Sequence, residues 1–153
     1  MINFFDSSAL VKRYIKEHGR EKVNSLIENA SLVAVSRLAY PEVLSALTRR
    51  RATLKLTDEE FGLLLSEFRS DWEQLTVFDI SDETMHHVDE VIENHRLRGA
   101  DSIHLSTAIW MKKTVNSQIT FITSDKELLS AARKERFKVI NPQDFPSPDI
   151  LKV

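Results

Sequence analysis

The stretch MINFFDSSAL, residues 1–10, sets a short apolar run, Ile2 to Phe5, directly against a carboxylate, Asp6. Two hydroxyls and an apolar helical pattern follow. The stretch ITFITSD, residues 119–125, repeats the arrangement and ends on Asp125. Short, near-continuous apolar runs predict strands buried on both faces. Alternating with amphipathic helices, they predict a three-layer α/β/α sandwich around a central, mostly parallel sheet. In such sheets ligands bind outside the carboxyl ends of the strands, so an acid after a strand stands where chemistry is carried out. For Asp6 two readings stay open locally. It caps the helix that follows, or it sits where a metal or a phosphate would bind.

Between these two stretches the pattern alternates. Residues 7–17 read as a helix with Leu10, Val11, Tyr14 and Ile15 on one face, EKVNSLIENA as a second helix, and SLVAV as a strand. Pro41 suits the first turn of a helix that runs to Arg51. Phe61, Leu64, Leu65, Phe68 and Trp72 follow helical spacing and predict core packing. LTVFDI reads as a strand, residues 82–95 as a helix carrying Met85, Val88, Val91 and Ile92, and residues 101–113 as another. Residues 126–135 read as a last helix and FKVI as a last strand. One domain over residues 1–145 is expected, followed by an irregular tail, 146–153, that holds Pro146 and Pro148.

Composition excludes several classes of function. The 153 residues contain no cysteine, so disulfides, thiolate metal sites and a cysteine nucleophile are ruled out. With three glycines there is no glycine-rich phosphate loop. A formal charge of −2 is not the footprint of a protein that grips duplex DNA by bulk electrostatics. No apolar run is long enough to cross a bilayer, and the first apolar stretch lacks a basic region before it, so no signal peptide and a cytoplasmic location are expected.

Two further acids join Asp6 and Asp125. Glu42 lies just inside a helix that begins shortly after SLVAV, and Asp101 opens the helix ADSIHLSTAIWM. Asp79, inside LTVFDI, is not counted with them. Each of the four, taken singly, suits a helix cap or first turn, where unpaired N–H groups favour an acid. Gathered in one pocket they would repel, and at least one would take up a proton unless a divalent cation were bound. Oxygen ligands without cysteine favour magnesium or manganese over zinc.

FFDSSALVKRY, SRLAYPEVLSALTRR, LRGADSIHLSTA and FITSDKELLSAA, in this order, resemble the four successive motifs of the PIN-domain ribonucleases, and most of all the VapC-type toxins of prokaryotic toxin–antitoxin pairs. The resemblance spans residues 1–144. It implies a metal pocket of Asp6, Glu42, Asp101 and Asp125 that binds Mg2+ or Mn2+. It also implies RNA as substrate, cleaved to 5′-phosphate and 3′-hydroxyl ends. A small VapB-like antitoxin reaching the active-site groove and a homodimer are implied as partners. Some relatives carry a further acid near the fourth motif. Here Thr123 and Ser124 occupy those positions, and their hydroxyls are expected to hold water.

Ser8 and Thr107 are candidates to orient a carboxylate or a water, with capping and helix–sheet packing as their ordinary alternatives; packing is favoured for Thr107. For His104, three residues after Asp101, a structural role is favoured over that of a general base. Setting aside the four acids leaves 21 basic against 19 acidic side chains. Arg49, Arg50 and Arg51, with Arg96 and Arg98, are candidates to hold an RNA backbone. Helical geometry spreads the first three around their helix, so they cannot all face one groove. Other readings are a stand-alone RNA-processing nuclease, a PIN-like binding scaffold without activity, and an aspartyl-phosphate phosphatase. The last is disfavoured because Ser8 stands where a second aspartate is wanted.

Overall fold

The computed structural model describes residues 1–145; the predicted tail, 146–153, lies outside the described residues. Five strands, β1 (Ile2–Phe5), β2 (Leu32–Ser36), β3 (Thr76–Phe78), β4 (Ile119–Ile122) and β5 (Lys138–Ile140), form one sheet in the order β3-β2-β1-β4-β5. Every pairing is parallel. Seven α-helices accompany them among the described residues: α1 (Ser7–Leu10), α2 (Arg20–Glu28), α3 (Ala39–Thr53), α4 (Asp58–Trp72), α5 (Val88–His95), α6 (Gly99–Val115) and α7 (Lys126–Lys134). The chain moves outward from β1 through β2 to β3, then returns to place β4 on the other side of β1. The strand order therefore reverses between β1 and β4, and a parallel sheet opens its binding crevice at such a point.

The sheet separates two cores. Phe4 packs with Leu105, Ala108, Phe121 and Ala132 on one face, while its neighbour Phe5 packs with Leu10, Val43, Leu47 and Ile122 on the other. Successive strand side chains point to opposite faces, which is why INFF is apolar throughout rather than alternating. Phe4 stacks on Phe121 across the β1–β4 pairing, with centroids 5.5 Å apart. As expected, the apolar face of α4 turns inward; Tyr14, Tyr40, Phe68 and Trp72 form an aromatic cluster with centroid separations of 5.1–5.9 Å.

Three elements depart from the sequence reading. The helix expected over residues 7–17 is only α1 followed by a 3-10 turn at Val11–Arg13. There the chain turns back, with Lys12 buried and paired to Glu17 at 3.0 Å. The reversal passes through Gly19 at φ +98°, where a Cβ would stand 3.0 Å from the Pro142 carbonyl oxygen. The helix expected from residue 82 starts only at Val88. Thr84 is buried; its hydroxyl donates to the Asp79 carbonyl at 2.6 Å and accepts from Ser81 N–H at 3.0 Å. Ser106 Oγ donates to the Thr84 carbonyl and accepts from His87 N–H. These bonds hold a turn where apolar spacing alone favours a helix, and Met85 is left 37% exposed. Finally, β3 ends at Phe78, so Asp79 lies beyond the strand, and its carboxylate meets Arg37 Nε at 2.6 Å.

Candidate active site

Asp6 leaves β1 in extended conformation and becomes the N-cap of α1, its Oδ1 accepting from Ala9 N–H at 3.1 Å. The cap reading therefore holds, but it uses only part of the carboxylate. Ser8 Oγ lies 2.9 and 2.8 Å from the two carboxylate oxygens, and Thr123 Oγ1 donates to Oδ2 at 2.8 Å. Asp6 is 2% exposed. Burial raises its pKa, against the lowering effects of His104 and of these hydrogen bonds.

Asp125 caps α7 in the same manner, accepting from Leu128 N–H at 2.9 Å. Its own N–H donates to Thr123 Oγ1 at 3.0 Å. Thr123, expected to hold a water, is completely buried and instead joins the first and last acids of the site. Ser124 contributes its backbone rather than its hydroxyl, which has no polar partner: its N–H donates to Ser8 Oγ at 3.0 Å. Ser8 is thus the support of Asp6 and not a cap.

Glu42 enters from the first turn of α3. Its Oε1 accepts from Ser7 Oγ at 2.9 Å and lies 2.6 Å from His104 Nε2. An ionised carboxylate has no proton to give, so Nε2 carries the hydrogen. Burial would raise the Glu42 pKa, but the hydrogen bond and charge of His104, together with Ser7, outweigh it and hold the group below its ordinary value. Neither His104 nor Ser7 is legible as a site residue from motifs alone. The signals that point to them are a helical turn from Asp101 for His104, and adjacency to Asp6 for Ser7. His104 is 1% exposed, and its Nδ1 is buried without a partner.

Asp101 lies in the first turn of α6. Its pKa is raised to about 6, first by desolvation and then by the charges of Asp125, Asp6 and Glu42. That the charges of three other carboxylates reach Asp101 accords with their placement around one concavity. All four acids line one concavity of about 310 Å³ at the carboxyl edge of the sheet, with Arg49 and Arg98 also lining it. Larger concavities, up to about 530 Å³, occur elsewhere; charge, not size, distinguishes this one. Arg50 is not part of it. The α3 rotation turns Arg50 onto Glu17 at 3.2 Å, and Arg51 onto Asp58. Arg96 lines a neighbouring concavity. Thr107 donates to the Ile103 carbonyl within α6 and is fully buried, as packing requires.

Among the described residues, no three Asp, Glu or His side chains are arranged as a group that holds a metal ion. Asp6 and Asp125 each commit an oxygen to a helix cap, and Glu42 is turned onto Ser7 and His104. The donors nevertheless suit a hard divalent cation in kind. They are all carboxylate oxygens, and their mutual repulsion is what such a cation relieves. Magnesium typically takes one or two carboxylates and completes its sphere with waters and substrate phosphate, so it needs no closed cage of protein ligands.

Comparison with known proteins gives the family and the fold. The PIN domain family model matches residues 4–134. The chain is 31% identical over 106 residues to ribonuclease VapC45 and to ribonuclease VapC49, each from a strain of Mycobacterium tuberculosis; the match covers 69% of this chain and 74% of each relative. The fold is similar to that of PAE2754 from Pyrobaculum aerophilum, with TM-score 0.63 at 16% identity over 94% of this chain and 91% of the other. It is likewise similar to VapBC2 from Rickettsia felis bound to a promoter DNA fragment, with TM-score 0.62 at 18% identity over 92% of this chain and 98% of the other.

Proposed function

The chain belongs to the PIN-domain family and, within it, to the VapC ribonucleases, and on that premise we propose that it is an Mg2+- or Mn2+-dependent endoribonuclease acting as the toxin of a toxin–antitoxin pair. The observation that carries this reading is the meeting of Asp6, Glu42, Asp101 and Asp125, from four separate segments, in one concavity beside two arginines.

Asp6, Asp101 and Asp125 would hold the ion, with Glu42 facing it. Such an ion would supply shielding of the charge that builds on a phosphate and a lowered pKa for water in the pocket. Arg49 and Arg98 hold the RNA backbone at the rim, where a guanidinium pairs with phosphate oxygens. Ser8 and Thr123 fix the Asp6 carboxylate so that it need not reorganise during reaction. Ser7 and His104 do the same for Glu42. The in-line displacement breaks the bond to the 3′ oxygen, leaving 5′-phosphate and 3′-hydroxyl ends.

Incubation of labelled host RNA with the purified protein tests this. Cleavage should require Mg2+ or Mn2+, stop with chelator and be lost in Asp6→Asn. Folded, metal-supplied protein that cleaves no host RNA overturns the proposal. For the partner reading, the expected results are inhibition by a small protein encoded next to this one and a two-chain mass in sedimentation.

A further inference from the structure

Beside the acid pocket lies a second concavity, of about 530 Å³, between the end of α5 and α7. Its charged lining is Arg96, Lys126 and Lys134 against Glu127; His95, also in its wall, is held by Glu135 at 2.9 Å. None of the three cations has an ion pair or a side-chain hydrogen bond among the described residues. That distinguishes them from Lys12, Arg13, Arg37, Arg50 and Arg51, each of which meets a carboxylate. It also distinguishes them from Lys112 and Lys113 in the concavity at the far end of α6. There Lys112 Nζ donates to the Glu135 and Arg136 carbonyls, and Lys113 meets His87.

Like Lys55 and Arg136, Arg96 carries its cation on a left-handed backbone. It ends α5 in the left-handed region, at φ 54° and ψ 38°. Glycine or asparagine takes that conformation with less strain. Here the position carries a long cation without an ion pair or side-chain hydrogen bond among the described residues.

The two concavities adjoin through the chain itself. Arg96 is two residues from Arg98, a span of at most about 7 Å, and Lys126 follows Asp125. Buried Leu97 and the first turn of α7 stand between them.

We propose that this second concavity is an extended RNA-backbone site, in which Arg96, Lys126 and Lys134 hold the phosphates of the strand that continues out of the acid pocket. The inference rests on the ribonuclease reading above and adds to it where the substrate runs. Unpaired cations along a groove track a backbone without reading bases, so the site contributes affinity for strand length rather than for sequence. An acidic protein partner is the competing occupant. Protein interfaces anchor on buried tryptophan, tyrosine and arginine packed in apolar pockets, and neither a Trp, Tyr or Phe nor a large exposed apolar side chain lines this concavity.

Binding of a labelled single-stranded RNA, long enough to exceed one short site of about 4–16 nucleotides, is measured by anisotropy in chelator across a salt series. The parent is Asp6→Asn, which keeps the substrate intact. Each lost phosphate contact lowers the slope of log K against log salt by about 0.7 on a single strand. The triple variant Arg96→Gly, Lys126→Ala, Lys134→Ala should therefore lose about 2 from that slope. Arg96→Gly relaxes the left-handed residue, and a melting curve for the triple variant verifies that it folds. The double variant Arg69→Ala, Lys138→Ala, which removes exposed cations elsewhere, should leave the slope at the parent value. A parent that binds RNA and a folded triple variant with an unchanged slope overturn this inference alone. So does an equal fall per charge in the control. So does a triple variant that keeps its RNA affinity and loses only an acidic protein partner. A parent that binds no RNA overturns the ribonuclease reading and this inference together.

Discussion

Two polar clusters are built into the same sandwich, and their charge balance is opposite. In the first, Asp71 on α4 accepts from Arg13 Nε and from Tyr14 OH, each at 2.8 Å, and Arg13 Nη1 donates to Asn24 on α2 at 3.0 Å. One cation meets one anion and each donor is answered. Burial works against the Arg13 charge, but Asp71 outweighs it and raises its pKa; burial and the bond to Asp71 push the Tyr14 hydroxyl up as well. In the acid pocket, four carboxylates face one imidazole, and the remaining cations, Arg49 and Arg98, lie along its wall. The first cluster is a clasp that ties the 3-10 turn to α2 and α4. The second keeps repulsion in place, which a proton or a bound cation relieves. Closure of the hydrogen bonds does not separate them, since Asp6 is bonded as fully as Asp71. Net charge does.

That contrast can be broken by experiment. Asp6→Asn should reduce RNA cleavage by at least about 10³-fold, because a carboxylate that faces the ion and the phosphate is lost; its melting temperature should change little, which calorimetry checks. Asp71→Ala should do the reverse. Removing one partner of a part-buried pair leaves Arg13 and Tyr14 unanswered and should cost about 2–3 kcal/mol in urea titration, with specific activity of the folded fraction unchanged. Thr123→Val keeps the shape but deprives Asp6 and Asp125 N–H of their shared hydroxyl. A loss of about 10–100-fold in activity or metal affinity is expected, and an undiminished rate would remove Thr123 from the supporting set.

The smallest effect is on pH dependence. The Asp101 carboxyl rises from an ordinary 3.8 to about 6 in the fold. The folded state therefore binds its proton more tightly than the unfolded state, and stability falls as pH rises from about 4 to 6 and stays lower above. Asp101→Asn removes that cost. With the half-exposed position discounted for screening, its gain above pH 6 should be about 1 kcal/mol, or 2–4 °C in Tm, disappearing near pH 4. A gain of equal size at both pH values would contradict the repulsion argument. Millimolar Mg2+ should raise the Tm of the unsubstituted protein more than that of the variant.

Much of the frame was legible because strands buried on both faces leave an unmistakable record. Phe4 and Phe5 both had to be apolar, and the acid that follows had to stand at the carboxyl edge. Asp125 was legible for the same reason, whereas Glu42 and Asp101, which open helices and follow no strand directly, were legible only together with the motifs around them. What escaped reading lies in contacts between distant segments. Glu42 meets Ser7 across 35 positions and His104 across 62, and no local pattern encodes such a pairing. The late start of α5 escaped because Thr84 and Ser106 fix the preceding turn through bonds that apolar periodicity does not register. Arg49 and Arg50 differ only by a rotation of about 100° on the helix, which decides that one faces the pocket and the other Glu17.

The placement of β1 at the middle of the sheet also has a consequence in time. The N–H of Asp6 is answered by Ile122 and its carboxylate by Thr123, more than a hundred positions further on. A nascent chain that already carries Asp6 has no pocket until β4 has been synthesised and has docked beside β1. Non-local parallel pairing of this kind is slow to form. Until β4 docks, Asp6 and Asp125 stand apart, and the chain carries acids without the pocket that gathers them.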